Sequence, residues 1–484
     1  MSTTPGGTGG ATASWVKDPR AFIAPLALAQ FICSFAGSNM NVMINDISRD
    51  LDTDVKGVQT TITLFLLIMA VLMIPCSKLT DRFGRKRCLV GGLILYGVGT
   101  VLSAIAPGLG ILILGNSVFQ GVGTAFLIPP VYILTTMAFT TLQSRAKAFG
   151  VISGAGGIGA AAGPLIGGVI TSGISWRAAF VFQALIVATI IVLCRKVEDP
   201  IPPDPERPFD SVGAVLSAVG MFFVVFGILQ AGSNNTLLVI SLVLGAGFLA
   251  ACFRYIRARE RAGKEPLLST ELFKNTVSNL GLLTQNLQWL LLMGVSFVVS
   301  VFLQTERHYS AIKTGVIFTS ATLGILASSL AAERMAGRRQ QKTLIAAGFT
   351  TTAVGIGLLL ALVKAASSSA WAFAPGLLLI GLGVGVMLTP SVNLVQSAFP
   401  DEQQGEISGL SRAVSNLGSS FGTAIAGTIL VSDLASGNGT YVIAMIVLAV
   451  VALAGLAVST RLPANPVRSA QSGAVPPPAA AEPA

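Results

Sequence analysis

Apolar runs with few charged residues alternate with short polar or basic loops along most of this 484-residue chain. A helix needs about 20 apolar residues to cross the hydrocarbon core of a bilayer. On that rule the pattern predicts fourteen membrane-spanning helices. They lie near residues 22–44, 59–77, 88–106, 109–136, 148–171, 178–194, 211–231, 236–253, 276–303, 314–332, 343–363, 371–398, 406–431 and 440–460.

The composition favours a membrane bundle over several soluble domains. The chain is 52% hydrophobic and 11% charged, with a mean hydropathy of +0.76, whereas soluble domains carry roughly 25% charged residues. The five cysteines show no paired spacing and are expected to be buried apolar residues. No nucleophile–base pair or metal-ligand cluster falls inside the apolar runs, so we predict no enzyme, no metal and no cofactor.

The net charge of +10 comes from basic loops and does not indicate a nucleic-acid partner. Most lysines and arginines lie in loops on the same side as both termini, for example at 82–87 and 254–264. Cytoplasmic loops carry such an excess, so the charge bias predicts a multi-pass protein of the plasma (inner) membrane with both termini in the cytoplasm. The other side holds Arg49, Lys56, Arg177, Arg307, Lys313 and Lys364.

Internal repeats divide the chain into two halves. The glycines at 159, 163 and 168 recur at 418, 422 and 427, and the segment from Gly121 to Pro130 resembles that from Gly381 to Pro390. Such repeats are typical of transporters. We predict a six-helix half at 21–196, an inserted helix pair at 197–253, a cytoplasmic linker at 254–275, a second six-helix half at 276–460, and disordered cytoplasmic ends at 1–20 and 461–484.

Several motifs resemble the major facilitator superfamily, specifically its fourteen-span drug-exporter (DHA2-like) branch. The loop from Ser77 to Arg87 matches the family's loop 2–3 motif except at Ser77, and the segment from Gly159 to Gly168 matches its fifth-helix antiporter motif. The resemblance runs from about residue 25 to 460. It implies an all-α polytopic fold of two six-helix halves plus an inserted pair. It implies gating residues Asp81, Arg82, Gly84 and Arg85, and hinge or packing residues Gly159, Gly163, Pro164, Gly167 and Gly168.

Each of these motifs also has a simpler interpretation. The loop charges could serve only orientation and helix capping, although the complete motif favours a gating role for Asp81 with Arg85. Small residues four apart let helix backbones approach closely in lipid, so the glycine-rich helix could serve packing alone. Packing and hinge bending are compatible, and we expect both.

Two departures from the family pattern put proton coupling in doubt. The position of the aspartate typical of the first span holds Ala36, and the position of the arginine typical of the fourth span holds Ser117. No acidic residue of the chain falls near the centre of a predicted span, and a buried unpaired charge would be costly. The remaining candidates for proton coupling are Asp46 and, second, Glu306 at the span ends.

Neutral polar residues share helix faces in three predicted spans. We predict that they line a substrate cavity, with interhelical hydrogen bonding as the alternative of equal weight. Arg412, near a span end, is expected to reach the membrane surface, and His308 is expected to be solvated. The predicted cavity residues are Ser38, Asn41, Asn116, Ser117, Gln120, Gln285, Gln288 and Trp289.

The sequence therefore predicts a monomeric transporter that exports lipophilic or amphipathic small molecules by alternating access. Its environment is the lipid bilayer, its partners are the small-molecule substrate and protons, and its proton coupling is weakened or atypical. Two alternatives remain open: a facilitator or importer of a neutral metabolite, and a transport-inactive membrane receptor or assembly partner.

Overall fold

A computed structural model describes residues 13–139, 142–199, 202–206, 208–230, 234–335, 340–364, 369–399, 404–432 and 438–463. Within these ranges the chain forms helices and connecting segments, without a strand. We number the fourteen helices of at least 18 residues in chain order. The first six are α1 (Pro19–Asn39), α2 (Val55–Phe83), α3 (Arg85–Ala104), α4 (Gly121–Ala138), α5 (Leu142–Gly173) and α6 (Trp176–Leu193).

Eight further helices follow, and short helical segments join several of them. The later helices are α7 (Ser211–Gln230), α8 (Asn235–Arg261), α9 (Thr276–Val301), α10 (Ala311–Met335), α11 (Gln341–Lys364), α12 (Ala374–Gln396), α13 (Gln404–Leu430) and α14 (Gly439–Thr460). The short segments include Ile44–Asp50 and Leu109–Leu112, and π-helical stretches cover Ile113–Gln120 and Phe302–Glu306.

The architecture is that of an all-α polytopic membrane protein. A described helix overlaps every predicted span, and twelve of the described helices are long and apolar enough to cross a membrane. The α5 helix adds a thirteenth as a bent pair, with 41° between Ala148–Ala160 and Ala162–Gly173. The α13 helix, which carries Glu406, Arg412 and many serines and glycines, is not among them. The count of fourteen spans therefore stays a prediction.

The helices α1–α6 form one six-helix group and α9–α14 form a second. The two groups contact each other along two lines of helix packing, here called seams. In the first group α5 packs against α1 and also against α10 of the second group. In the second group α13 packs against α9 and also against α2 of the first group. Each fifth helix thus contacts the first helix of its own group and the second helix of the other group, which is the arrangement expected from an internal repeat.

The α7 and α8 helices pack on each other, and α7 also contacts α2 and α13. Val225 of α7 is fully buried beside Leu67 and Val71 of α2, with Leu417 and Phe421 of α13 packed against the same cluster. The inserted pair thus covers one of the two seams. The predicted domain boundaries stay predictions, and the predicted disordered ends fall largely outside the described residues.

Asp210 fixes the connection between the inserted pair and the second group. Its side chain is 1% exposed and accepts hydrogen bonds from Gly213 N at 2.9 Å and from Leu267 N at 3.0 Å. Arg259 Nε lies 3.8 Å from the same carboxylate. One buried carboxylate therefore caps α7 and holds the segment that follows α8, because each of its bonds satisfies a donor that would otherwise be buried alone.

Candidate functional site: the seam between the two halves

Glycines on α5 bring its backbone against α1. A Cβ added at Gly159 would clash with the carbonyl of Phe31, and one at Gly163 would lie 3.2 Å from Asn39 N and would clash with Ser38 Oγ. A Cβ added at Gly167, on the same face, would lie 3.1 Å from Asn39 Cβ. The four-residue spacing therefore places the glycines at a close helix–helix contact, as expected for small residues in lipid.

The same helix touches the second half on its other side. A Cβ on Gly168 would lie 2.5 Å from the carbonyl oxygen of Ala311, the first residue of α10. A Cβ on Gly315 would clash with the carbonyl of Pro164. Pro164 lies four residues after the bend of α5 at Ala160, and proline removes a helix hydrogen bond to the preceding turn. The hinge role of these residues stays a prediction.

Gln304 joins the two halves at the end of the bundle opposite the termini. Its side-chain amide donates to Asn41 O at 2.7 Å, and Asn45 Nδ2 donates to Gln304 O at 2.8 Å. Gln304 lies in the π-helical segment after α9, and π-helical turns are frequent at functional sites. Asn41, a predicted cavity residue, thus serves here as a contact between halves, and its buried Oδ1 has no hydrogen-bond partner.

The predicted cavity residues of the fourth span lie in the other π-helical segment and bond inside the first half. Ser117 Oγ donates to Thr61 O at 2.7 Å, and Gln120 Nε2 lies 3.5 Å from Ser103 Oγ. The buried Asn116 Nδ2 and Gln120 Oε1 have no hydrogen-bond partner. Ser117, which occupies the position of the family's arginine, therefore links two helices as a neutral group.

The predicted cavity residues of α9 bond inside the second half. Ser411 Oγ donates to Gln285 Oε1 at 2.7 Å, and Ser391 Oγ donates to Gln288 Oε1 at 3.2 Å. The Nε2 atoms of both glutamines are buried without a partner, and Trp289 is half-buried against the main core. The two glutamines bond to α12 and α13, the residues of the fourth span bond to α2 and α3, and Ser38 lies beside Gly163 of α5. Their role as a common cavity stays a prediction.

The terminal-side end of the bundle, where α1 begins and α14 ends, is held by an ion pair between halves. Lys78 Nζ of α2 lies 2.6 Å from Glu406 Oε1 of α13 and 3.1 Å from Glu265 Oε1. The Lys78 and Glu406 side chains are 16% and 28% exposed. Lys78 and Glu406 lie 328 positions apart, so no local sequence pattern predicts their pairing.

The predicted gate residues extend from the last turn of α2 to the first residue of α3. Gly84 has φ +92°, a conformation that disfavours a side chain, and Arg85 is buried at the start of α3. The carboxylate of Asp199 accepts from Arg85 N at 2.7 Å and from Lys86 N at 3.2 Å. The side chain of Asp81 lies outside the described residues, and the Arg82 guanidinium lies 5.9 Å from the Phe83 ring. Asp199 is thus a helix cap that sequence reasoning missed.

A cavity of about 160 Å³ lies near the terminal-side end, between α2, α4 and α13. Met73, Ile128 and Met137 are among its apolar walls, and Tyr132 and Arg412 supply polar groups. The guanidinium of Arg412 donates to the Tyr132 hydroxyl and lies 4.5 Å from the centre of that ring. Arg412 was expected to reach the membrane surface, whereas the structure places it between the halves. None of the predicted cavity residues lines this space.

The two candidates for proton coupling lie near the end opposite the termini. Asp46 is half-buried, and this burial raises its pKa above the ordinary value for an aspartate, while Arg49 acts in the opposite direction. Glu306 is exposed and shares a hydrogen bond with the hydroxyl of Tyr441. In the segments that the structure describes, no group of three or more His, Cys, Asp or Glu could hold a metal ion.

Neighbouring Asp50 shows the opposite electrostatic effect. The Arg177 guanidinium and, at 3.0 Å, Trp176 Nε1 donate to its carboxylate, and Arg177 also bonds Ala106 O at 2.9 Å. The hydrogen bond from Arg177 lowers the pKa of Asp50. Asp50 is therefore held in its charged form, whereas Asp46 is the carboxyl group at this end that protonates more readily.

Comparisons with known proteins agree with this architecture. A sequence model of the Major Facilitator Superfamily matches residues 26–256 and 281–482. A crystal structure of the peptide transporter POT has a TM-score of 0.68 at 16% sequence identity, covering 93% of this chain and 96% of that chain. At this identity the structural match shows the shared fold alone.

Three relatives are similar to this chain over most of its length. The puromycin resistance protein Pur8 of Streptomyces alboniger is 29% identical over 418 residues, 85% of this chain and 82% of Pur8. The multidrug resistance protein Stp of Mycobacterium tuberculosis is 26% identical over 82% of this chain and 73% of Stp. The multidrug efflux pump LfrA of Mycolicibacterium smegmatis is 27% identical over 88% of this chain and 82% of LfrA.

The family match covers both halves of the chain, and the structural match shows the same overall fold. The chain belongs to the major facilitator superfamily, resembles its drug exporters, and is a multi-pass transmembrane transporter.

Proposed function

We propose that this protein exports lipophilic or amphipathic small molecules across the plasma (inner) membrane, with both termini in the cytoplasm. The observation that carries the proposal is the similarity to three relatives whose names describe puromycin resistance, multidrug resistance and multidrug efflux. Each of them matches more than 80% of this chain. The excess of basic residues in the terminal-side loops supports the orientation.

The contacts between halves support an alternating-access cycle. Gln304 joins the halves at the end opposite the termini, and Lys78 with Glu406 joins them at the terminal-side end. Access from one side requires that the contacts at that end separate, while those at the other end persist. The close glycine contacts of α5 with α1 provide a rigid pair that can move as one body against α10.

We also propose that proton coupling is weakened or atypical. A proton-coupled exchanger needs a group that binds a proton in one state and releases it in the other. Ala36 and Ser117 cannot serve this purpose at the positions where the family carries charges, and Ser117 is hydrogen-bonded to Thr61. Asp46 is the first candidate for a residual coupling group, because it lies near the end opposite the termini and burial raises its pKa above the ordinary value for an aspartate.

The cargo class follows from the same lack of an acidic residue in the middle of a predicted span. A cationic drug would be stabilised by a buried carboxylate, and no acidic residue lies in the middle of a predicted span. Apolar and methionine-containing walls suit lipophilic molecules of varied shape. We propose that the transporter acts as a monomer, with protons as the candidate coupling ion.

Transport by the purified protein in proteoliposomes tests the proposal. A neutral lipophilic dye is loaded, and its movement is followed in vesicles of known protein orientation, with and without an imposed pH gradient. Movement directed away from the terminal-side face, weakly dependent on the gradient, supports export. Net movement towards that face indicates an importer, and the absence of movement in correctly inserted protein indicates a receptor or assembly partner.

A further inference from the structure

The cavity between α2, α4 and α13 contains a cation without a carboxylate partner. Arg412 lies on α13, and among the described residues no carboxylate lies within 4.0 Å of its guanidinium. Glu406 of the same helix is paired with Lys78. Arg412 is half-buried, and a charge even partly removed from water is destabilised unless an opposite charge offsets the lost solvation. The cavity therefore favours an anionic guest.

The guanidinium is held in place with most of its donors unused. Its hydrogen-bond acceptor is the Tyr132 hydroxyl, which itself donates to Gln30 Oε1 at 3.1 Å, and its central carbon lies 4.5 Å from the centre of the Tyr132 ring. A guanidinium carries five N–H donors in a planar fork that fits carboxylate or sulfonate oxygens in pairs. Arg412 is thus positioned by Tyr132 and still able to bind an anion.

Most of the remaining wall is apolar, beside the hydroxyl groups of Ser77, Thr136 and Ser408. Met73, Ile128, Pro129, Ile133 and Met137 surround the space of about 160 Å³. An apolar cavity of about 150 Å³ holds a benzene ring. Methionine side chains adapt to guests of different outline. One aromatic ring or a compact alkyl group therefore fits against these walls while an acidic group faces Arg412.

We propose that this cavity is a cargo-binding site for amphipathic organic anions, in which Arg412 pairs with a carboxylate or sulfonate and the apolar walls hold the attached ring. The proposal rests on the export function proposed above and narrows its cargo. The position of the cavity near the terminal-side end places it where a cargo from the cytoplasm would first enter.

Binding to the full-length protein in phosphatidylcholine nanodiscs tests this site, because that lipid supplies no anionic headgroup of its own. The probes are toluene-4-sulfonate and its neutral isostere toluene-4-sulfonamide, measured by isothermal titration. We expect the wild-type protein to bind the sulfonate at least about tenfold more tightly than the sulfonamide. Arg412→Gln should abolish this preference, whereas the matched control Arg461→Gln, at an exposed site after α14, should retain it.

Arg412→Lys provides a second variant in case Arg412→Gln does not fold. It keeps the charge without the planar fork, so the preference for the sulfonate should weaken but persist. Equal binding of the two probes to the wild-type protein would overturn the proposal, as would an unchanged preference in folded Arg412→Gln. Efflux of a neutral dye is measured in parallel. Efflux without anion preference refutes only this site, and anion preference without efflux refutes only the export function.

Discussion

Removing the ion pair between Lys78 and Glu406 should let the two halves separate more readily at the terminal-side end. The charged atoms lie 2.6 Å apart, and the side chains are only 16% and 28% exposed. An exposed pair contributes up to about 1 kcal/mol, whereas breaking a fully buried pair costs about 3–5 kcal/mol. For this partly buried pair we expect a coupling energy of about 1–2 kcal/mol, discounted for solvent screening.

That energy corresponds to a change of about 5- to 30-fold in the ratio of the closed to the open arrangement at this end. The second carboxylate, Glu265, lies 3.1 Å from Lys78 and retains part of the attraction when Glu406 alone is changed. Lys78→Met should therefore open this end more than Glu406→Gln. The double variant should open it by less than the sum of the two free-energy changes.

Cysteine labelling of the cavity measures the opening. Thr136→Cys, at the wall of the cavity, is introduced into a protein whose native cysteines are replaced, and its reaction with a water-soluble maleimide is timed in proteoliposomes. The rate should rise about 5- to 30-fold in Lys78→Met. Lys274→Met, in the exposed pair with Glu271, is the matched control and should leave the rate unchanged. Strictly additive effects of Lys78→Met and Glu406→Gln would refute the reasoning.

Three further predictions address packing, coupling and assembly. Gly163→Leu should reduce the amount of folded protein or its transport, because overpacking costs about 1–3 kcal/mol or more. Gly154→Leu on the same helix is the control and should be tolerated, because a Cβ at Gly154 meets nothing within 4 Å. Equal tolerance of both variants in an expression and efflux assay would contradict the close contact at Gly163. Because burial raises the pKa of Asp46, external acid should neutralise this carboxylate at a higher pH than it would an exposed aspartate. Asp46→Asn should therefore remove the corresponding change from the pH profile of transport. A pH profile unchanged by the substitution would exclude Asp46 as the coupling group. Asp210→Asn should lower the free energy of unfolding by about 1–3 kcal/mol, because an amide accepts at only one oxygen and leaves one buried N–H without an acceptor. An unchanged melting temperature would contradict this role of Asp210.

The fold class and the glycine interface could be predicted from the sequence because both depend on local patterns. Apolar runs of about 20 residues specify helices that a bilayer accepts. The four-residue spacing of Gly159 and Gly163 places them on one face, and a face of small residues in lipid indicates a close helix contact. The structure then shows which backbone they meet, that of α1 at Phe31 and Ser38.

The composition of the candidate site depended on tertiary packing. Arg412 meets Tyr132 across 280 residues and Lys78 meets Glu406 across 328, so no spacing along one helix relates either pair. The sequence determined which side chains share a helix face, since helical geometry fixes that locally. Only the packing of α2, α4 and α13 decided which faces meet, because contact between distant helices depends on the shapes of all the helices between them.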